Sequence, residues 1–203
     1  MNYVPQIPKW GEEYTEKKLD ELVSYHGWLA STAIKTGLIS PKKEQAIWDE
    51  FIVHSLYFAK IIENLKERKE QILDLGTGAG IPGIPISIVM NEKVTLVDNK
   101  KTRIFELERL ITTNSLKNVV AKQENAIKLM KSYENCLFTL RCYLSSSNLI
   151  KQLSKPRKTN IYLVSSSEKN SLKSNEMFHV KQEKFLINKT EYRFIDVITV
   201  RWN

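Results

Sequence analysis

Residues 72–85 read ILDLGTGAGIPGIP, an apolar run closed by Asp74-Leu75 and then four glycines interleaved with two prolines. Two glycine patterns overlap in it. Gly78-x-Gly80-x-x-Gly83 matches the fingerprint of dinucleotide-binding turns, whereas Asp74-x-Gly76-x-Gly78-x-Gly80 matches the turn of S-adenosylmethionine enzymes. Register separates them, because glycines serve a ligand where strand gives way to helix and missing Cβ atoms allow unusual φ and close approach. Ile72 to Leu75 reads as the strand, so Gly76, Gly78 and Gly80 form the turn. Pro82 and Pro85 suit a first helical turn, where an absent N–H costs little; Gly83 then falls inside the helix, which favours adenosylmethionine. A P-loop is disfavoured more strongly, since no Gly-Lys-Ser/Thr follows to hold phosphate and magnesium.

Downstream of this turn, short apolar runs alternate with helical stretches. Val94 to Val97, Val119 to Ala121, Leu137 to Arg141 and Ile161 to Val164 read as strands. Pro82 to Val89, Thr102 to Asn114, Ala126 to Lys131 and Ser147 to Leu153 read as helices. Such alternation predicts a doubly wound, mostly parallel α/β sheet. Lys184 to Ile187 and Tyr192 to Val200, joined around Asn188-Lys189, predict a closing antiparallel hairpin. Ser145-Ser146-Ser147 and Ser165-Ser166-Ser167 read as loop or helix-start clusters. Before the glycine strand, Tyr14 to Ala33 and Lys43 to Glu67 carry helical periodicity; in the second, Ile47, Phe51, Leu56, Ala59 and Ile62 share a face opposite Lys60 and Glu63. The expected organisation is a helical extension over 1–70 and a Rossmann-like domain over 71–203, in one compact unit.

The apolar fraction of 42% is that of a globular protein. No apolar stretch approaches the roughly 20 residues of a membrane span, and the start lacks a basic-then-apolar leader, so a cytoplasmic protein without a membrane partner is expected. Cys136 and Cys142 are read as unpaired core thiols. His26, His54 and His179 are too scattered for a recognisable ligand set, and no metal is expected. The net charge of +8 is concentrated: residues 141–203 carry 12 Lys+Arg against 5 Asp+Glu, whereas residues 1–70 carry 10 against 11. That asymmetry fits either a soluble basic surface or a footprint for a polyanion such as RNA.

Asp98 ends the second strand, 22 residues after Gly76. An acid there can accept from both ribose hydroxyls of a nucleoside or cap the following helix, and the roles are compatible. Asp74 has a similar choice between the methionine end of a cofactor and the turn amides.

Taken together, ILDLGTGAGIPGIPISIV resembles the signature of the RsmG (GidB) family, bacterial 16S ribosomal RNA guanine-N7 methyltransferases. The G-x-P-G-I-P spacing is the part that distinguishes this family from other methyltransferases. FIVHSLYFAK, VDNKKTRIFEL and FTLRCYLSSSNLI are similar to further family segments, so the likeness runs from about Trp28 to Leu153. It implies a Rossmann-like class I methyltransferase fold, S-adenosylmethionine as cofactor, and ribosomal RNA or the small ribosomal subunit as partner of a monomeric enzyme. Carried over by position, the cofactor contacts fall at Gly76 and Ile81, at Ala126 and Ile127, and at Arg141, which join Gly78, Gly80 and Asp98. A guanidinium at a strand end suits a carboxylate or an RNA phosphate, though it is also an ordinary surface cation.

The chain departs from the family pattern near its substrate side. Phe51-Ile-Val-His54-Ser55 stands where the family has His-Ile-x-Asp-Ser, Ile127 replaces an acid, and Ser165-Ser166 replaces a Leu-Lys-Gly strand end. These departures leave open a divergent paralogue that binds adenosylmethionine or RNA with another substrate or without turnover. No catalytic residue is assigned.

Overall fold

A computed structural model of the chain describes residues 3–65, 67, 70–133, 135–142, 146–152, 161–169, 173, 174, 176 and 178–200. Ser145 and Leu153, at the ends of two expected segments, lie outside these residues.

The seven strands are β1 (Gln71–Leu75), β2 (Val94–Asp98), β3 (Val119–Gln123), β4 (Cys136–Leu140), β5 (Ile161–Ser167), β6 (Phe178–Leu186) and β7 (Tyr192–Val200). They form one sheet in the order β3-β2-β1-β4-β5-β7-β6. The first five are parallel, and β7 runs antiparallel between β5 and β6. The chain leaves β1 toward β2 and β3, then returns to its other side with β4. The order of the strands therefore reverses between β1 and β4, which remain parallel, and the crevice beyond the carboxyl ends at such a switch point is where α/β sheets bind ligands.

Burial on both faces explains the near-continuous apolar runs of β1, β2 and β4. Leu73, Leu75, Val97, Phe138 and Leu140 pack on one side against Ala126, Leu129 and Met130 of α7 (Ala126–Ser132), and Ile150 of α8 (Ser146–Gln152) lies against the same cluster. Ile72, Val94, Leu96 and Leu137 belong to the opposite core, with α5 (Gly83–Met90) and α6 (Lys101–Thr113). Helix α5, GIPISIVM, is apolar on all sides because the sheet lies under it and the N-terminal helices over it.

Those helices are α1 (Glu12–Thr15), α2 (Leu19–Trp28), α3 (Glu44–Ile47) and α4 (His54–Glu63), with π-helical segments at Leu29–Ala33 and Trp48–Val53. Leu22, Tyr25, Leu29, Trp48, Ile52, Leu56 and Phe58 are all essentially removed from water, each by about 1.5–3 kcal/mol of apolar transfer. A net hydrogen bond contributes nearer 1 kcal/mol, so packing holds this layer and polar contacts set its register. The single apolar face expected for residues 47–62 is too narrow: Trp48, Ile52, Val53, His54, Ser55 and Phe58 are buried as well. The extra residue in the π turn at Trp48–Val53 rotates the following side chains away from strict 3.6-residue spacing.

Three further expectations are corrected. Ser165-Ser166-Ser167 is strand, not loop: it pairs with Asp196, Ile195 and Phe194 of β7, and the Ser167 hydroxyl donates to Asp196 Oδ1 at 2.9 Å. Strand β6 begins at Phe178, because the edge position lets His179 and Lys181 point to water without breaking the ladder. Cys136 is a buried thiol, but Cys142 is exposed, in a left-handed residue (φ 55°) just past β4.

Gly83 opens α5 at a crowded point: a Cβ there would lie 2.4 Å from Leu96 Cδ2 and 2.9 Å from Asp74 Oδ2. Gly83→Ala is expected to cost about 1–3 kcal/mol through overpacking, read as a lower urea midpoint with unchanged slope.

Candidate functional site

The turn after β1 is held from below by Asp74. This carboxylate is completely buried; Oδ2 accepts from Thr77 Oγ1 at 2.6 Å and Gly83 N at 3.0 Å, and Oδ1 from Thr139 Oγ1 at 2.9 Å. Burial pushes its pKa up to about 6, while the three hydrogen bonds and the charge of Arg141 pull the other way. With no surface exposed and three donors on it, Asp74 takes the turn-ordering role.

Above it, Gly76, Gly78 and Gly80 all have positive φ (68°, 59° and 90°). Gly80 is also tightly packed, since its Cβ would fall 2.4 Å from Ile84 Cδ1. Gly78 differs. The nearest atom to its Cβ position is Gly76 O at 4.0 Å, so the backbone there borders open space. Thr77 N donates to Val97 O at 3.0 Å and Gly78 N to Asp98 Oδ2 at 3.2 Å, which ties the turn to the end of β2. On its other side the Tyr25 hydroxyl donates to Ala79 O at 2.8 Å, so α2 clamps the loop. The Ile81-Pro82 peptide is cis.

Asp98 is 3% exposed and engages three donors: Gly78 N, Lys100 N at 3.0 Å and Arg103 Nη1 at 2.9 Å. The contact to Lys100 N closes a turn ahead of α6, whose N-cap is Lys100 with no side-chain cap, so Asp98 does not take the helix-capping role considered above. An ionised carboxylate offers about four acceptor positions, so about one remains. Ala126 and Ile127 begin α7 beside it, with Glu124 N donating to Asp98 O at 3.1 Å. Ile127 carries no polar side-chain atom, and only its backbone and apolar surface are available there.

Arg141 follows β4 directly, on the opposite side of the turn from Asp98. Its guanidinium carbon lies 4.7 Å from the centroid of Phe51, and its Nε is buried with no partner among the described residues. Burial lowers its pKa, partly offset by Cys142, Glu50 and Tyr25. His54 lies between the rings of Phe58 and Phe185, at 5.7 and 5.4 Å, and its Nε2 also lacks a partner among the described residues. Burial first, then Arg141 and Arg193, hold the imidazole well below its ordinary value and therefore neutral.

The predicted residues thus fall in three places around one crevice: the glycine turn with Asp98, the start of α7, and Arg141 over Phe51. Tyr25, Thr77, Thr139 and Arg103 shape the site without having been singled out in the sequence. A hydroxyl inside an apolar strand, as in FTL, needs a buried partner and is the signal that would have found Thr139.

A neutral folded-state His54 makes acid destabilising. Below about pH 6.5 the unfolded chain takes up a proton that the folded one refuses, so stability falls with pH by up to about 1.4 kcal/mol per unit. His54→Leu is expected to shrink the loss of Tm between pH 7.5 and 5.5; an unchanged loss would overturn this assignment.

Several known proteins are similar to this chain in sequence or fold. The sequence model of the family described as GidB, rRNA small subunit methyltransferase G, matches residues 18–198. Ribosomal RNA small subunit methyltransferase G of Flavobacterium johnsoniae is 36% identical over 127 residues, 62% of this chain and 56% of that protein. The protein of the same name from Chlorobaculum tepidum is 35% identical over 112 residues, 55% and 51% respectively. The chain spans about half the length of the curated relatives it matches. Among solved structures, a methyltransferase from Geobacter sulfurreducens superposes with TM-score 0.55 at 10% identity, covering 91% of this chain and 89% of the other. Magnesium protoporphyrin IX methyltransferase from Synechocystis PCC 6803, with bound SAM, gives 0.53 at 14%, covering 91% and 99%. At such identities the likeness shows the fold alone, a Rossmann-like methyltransferase fold.

Proposed function

The chain belongs to the GidB family, rRNA small subunit methyltransferase G, and from this premise we propose that it is an S-adenosylmethionine-dependent methyltransferase acting on N7 of a guanine in small-subunit ribosomal RNA. The observation that carries the cofactor reading is the crevice between Gly78, whose Cβ position is open, and Arg141, whose Nε has no hydrogen-bond partner among the described residues. When bound, S-adenosylmethionine supplies an electrophilic methyl group on a sulfonium. Residues Gly76, Gly78, Gly80 and Ile81 would bound its seat, with Asp98 offering its remaining acceptor position to a ribose hydroxyl. Ala126 and Ile127 would wall the base, and Arg141 would take the carboxylate.

Guanine N7 presents an in-plane lone pair, so no proton need leave before it attacks. The work left to the protein is alignment and tolerance of positive charge developing on the base. A neutral His54 fits this demand, because an imidazolium beside the site would oppose that charge. The loss of the family's acid and histidine at 54 and 51 therefore removes no obligatory base. The A-form major groove is deep and narrow, so the target guanine must lie in a loop or distorted helix.

Methyl transfer to small subunits from a strain lacking this gene, followed by mapping of the modified base, should give one new 7-methylguanosine; an unmodified product would sink the reading. Arg141→Gln should weaken adenosylmethionine binding by about tenfold or more, the worth of one charge-assisted hydrogen bond, in calorimetry on a variant with wild-type circular dichroism. Unaltered affinity would reject the role given to Arg141.

A further inference from the structure

We propose that the tip of the β6–β7 hairpin, which carries Lys184, Lys189 and Tyr192, is a docking surface for a single strand of RNA beside the crevice. The inference rests on the reading of this chain as an RNA methyltransferase and adds the place where the substrate strand is held.

Exposure alone carries little, because surfaces always keep some apolar area. Tyr192 is 49% exposed, and what distinguishes it is the Lys184 ammonium 3.8 Å from its ring centroid. An aromatic face with a cation attached matches the two chemical features of a nucleotide, a stackable base and a phosphate. Lys184 and Lys189 have no acidic partner among the described residues. Their neighbours are neutralised instead: Arg193 pairs with Glu191, and Lys181 with Glu183 at 2.7 Å. Among the described residues the tip thus keeps Lys184 and Lys189 without an acidic partner beside one half-exposed ring, on the third of the chain that carries the basic excess.

The tip is also tied to the body of the protein by hydrogen bonds and ring contacts. Asn188 Oδ1 accepts from Thr190 N at 3.1 Å and Glu191 N at 2.9 Å, and its Nδ2 donates to Asp49 Oδ2 at 3.2 Å. Trp10 Nε1 donates to Leu186 O at 2.9 Å, while Tyr57 stacks on Phe185 with centroids 3.9 Å apart. Holding a hairpin this way lowers the ordering cost of binding.

Register places the tip at the reactive end of the sheet. Leu140 pairs with Ser165 and Ser166 with Ile195, so Arg141 lies level with Ile195. Tyr192 stands three residues further on, about 10 Å, and two strands across, about another 10 Å. Tyr192 and Lys184 stand on the sheet face that packs α7, whereas the Arg141 guanidinium lies over Phe51 on the other face, so a strand that meets both passes over the carboxyl end of the sheet.

The test uses the full chain with unmodified small subunits and, separately, with protein-free small-subunit RNA. Tyr192→Ala should raise the dissociation constant for both by about tenfold, as for one stacked base, and Tyr192→Phe should restore it. Lys184→Ala and Lys189→Ala should each reduce the salt dependence of binding by about one phosphate contact. Adenosylmethionine affinity should not change in any of them. Unaltered RNA affinity and salt dependence in the triple alanine variant, with a wild type that methylates, would overturn the docking surface alone. A loss seen with whole subunits but not with free RNA would overturn it in favour of a ribosomal protein partner. Failure of the wild type to methylate either substrate would remove the underlying reading as well.

Discussion

The Asp74 carboxylate is the point on which the site depends. Removing a charge from water costs several kcal/mol, and the three donors that meet it each return about 1.5–3 kcal/mol. Those donors come from different elements: Thr77 from the turn, Gly83 from the start of α5, and Thr139 from β4. One buried group therefore fixes the turn to both sides of the strand switch. Its pKa near 6 shows that burial still outweighs the hydrogen bonds and Arg141. Gly83 is favoured for the same reason, since a Cβ there would have to displace Leu96 or Asp74.

The layer in front of the sheet completes what Asp74 begins. Tyr25 reaches across from α2 to Ala79 O, and the π turn at Trp48–Val53 brings Phe51 under Arg141. A guanidinium over a ring keeps its charge without a carboxylate to neutralise it. Positions 51 and 54 thus supply an aromatic support and a neutral imidazole, and Arg141 Nε stays without a hydrogen-bond partner among the described residues.

Much of this was legible in the sequence. The period-2 and period-3.6 runs, the glycines with positive φ and the prolines at the start of α5 are local features, written into neighbouring residues. What escaped was non-local. Ser165-Ser166-Ser167 has loop composition, yet β7 supplies the ladder that makes it strand. Cys142 adjoins an apolar strand, but a left-handed backbone turns it to solvent. Nothing in the local sequence sets Arg103 apart from its neighbours, and only the fold brings it to Asp98 at 2.9 Å.

By itself the sequence determined the strand-turn-helix at 72–89, the family pattern, the parallel alternation with its closing hairpin and the basic excess of the last third, because each depends on spacing along the chain. Tertiary structure decided which roles the ambiguous residues take. Asp74 became a turn organiser because no surface of it reaches solvent, and Asp98 became a shared acceptor because three donors converge on it. His54 is neutral because aromatic packing and two arginines exclude its charge, a condition no stretch of ten residues could reveal.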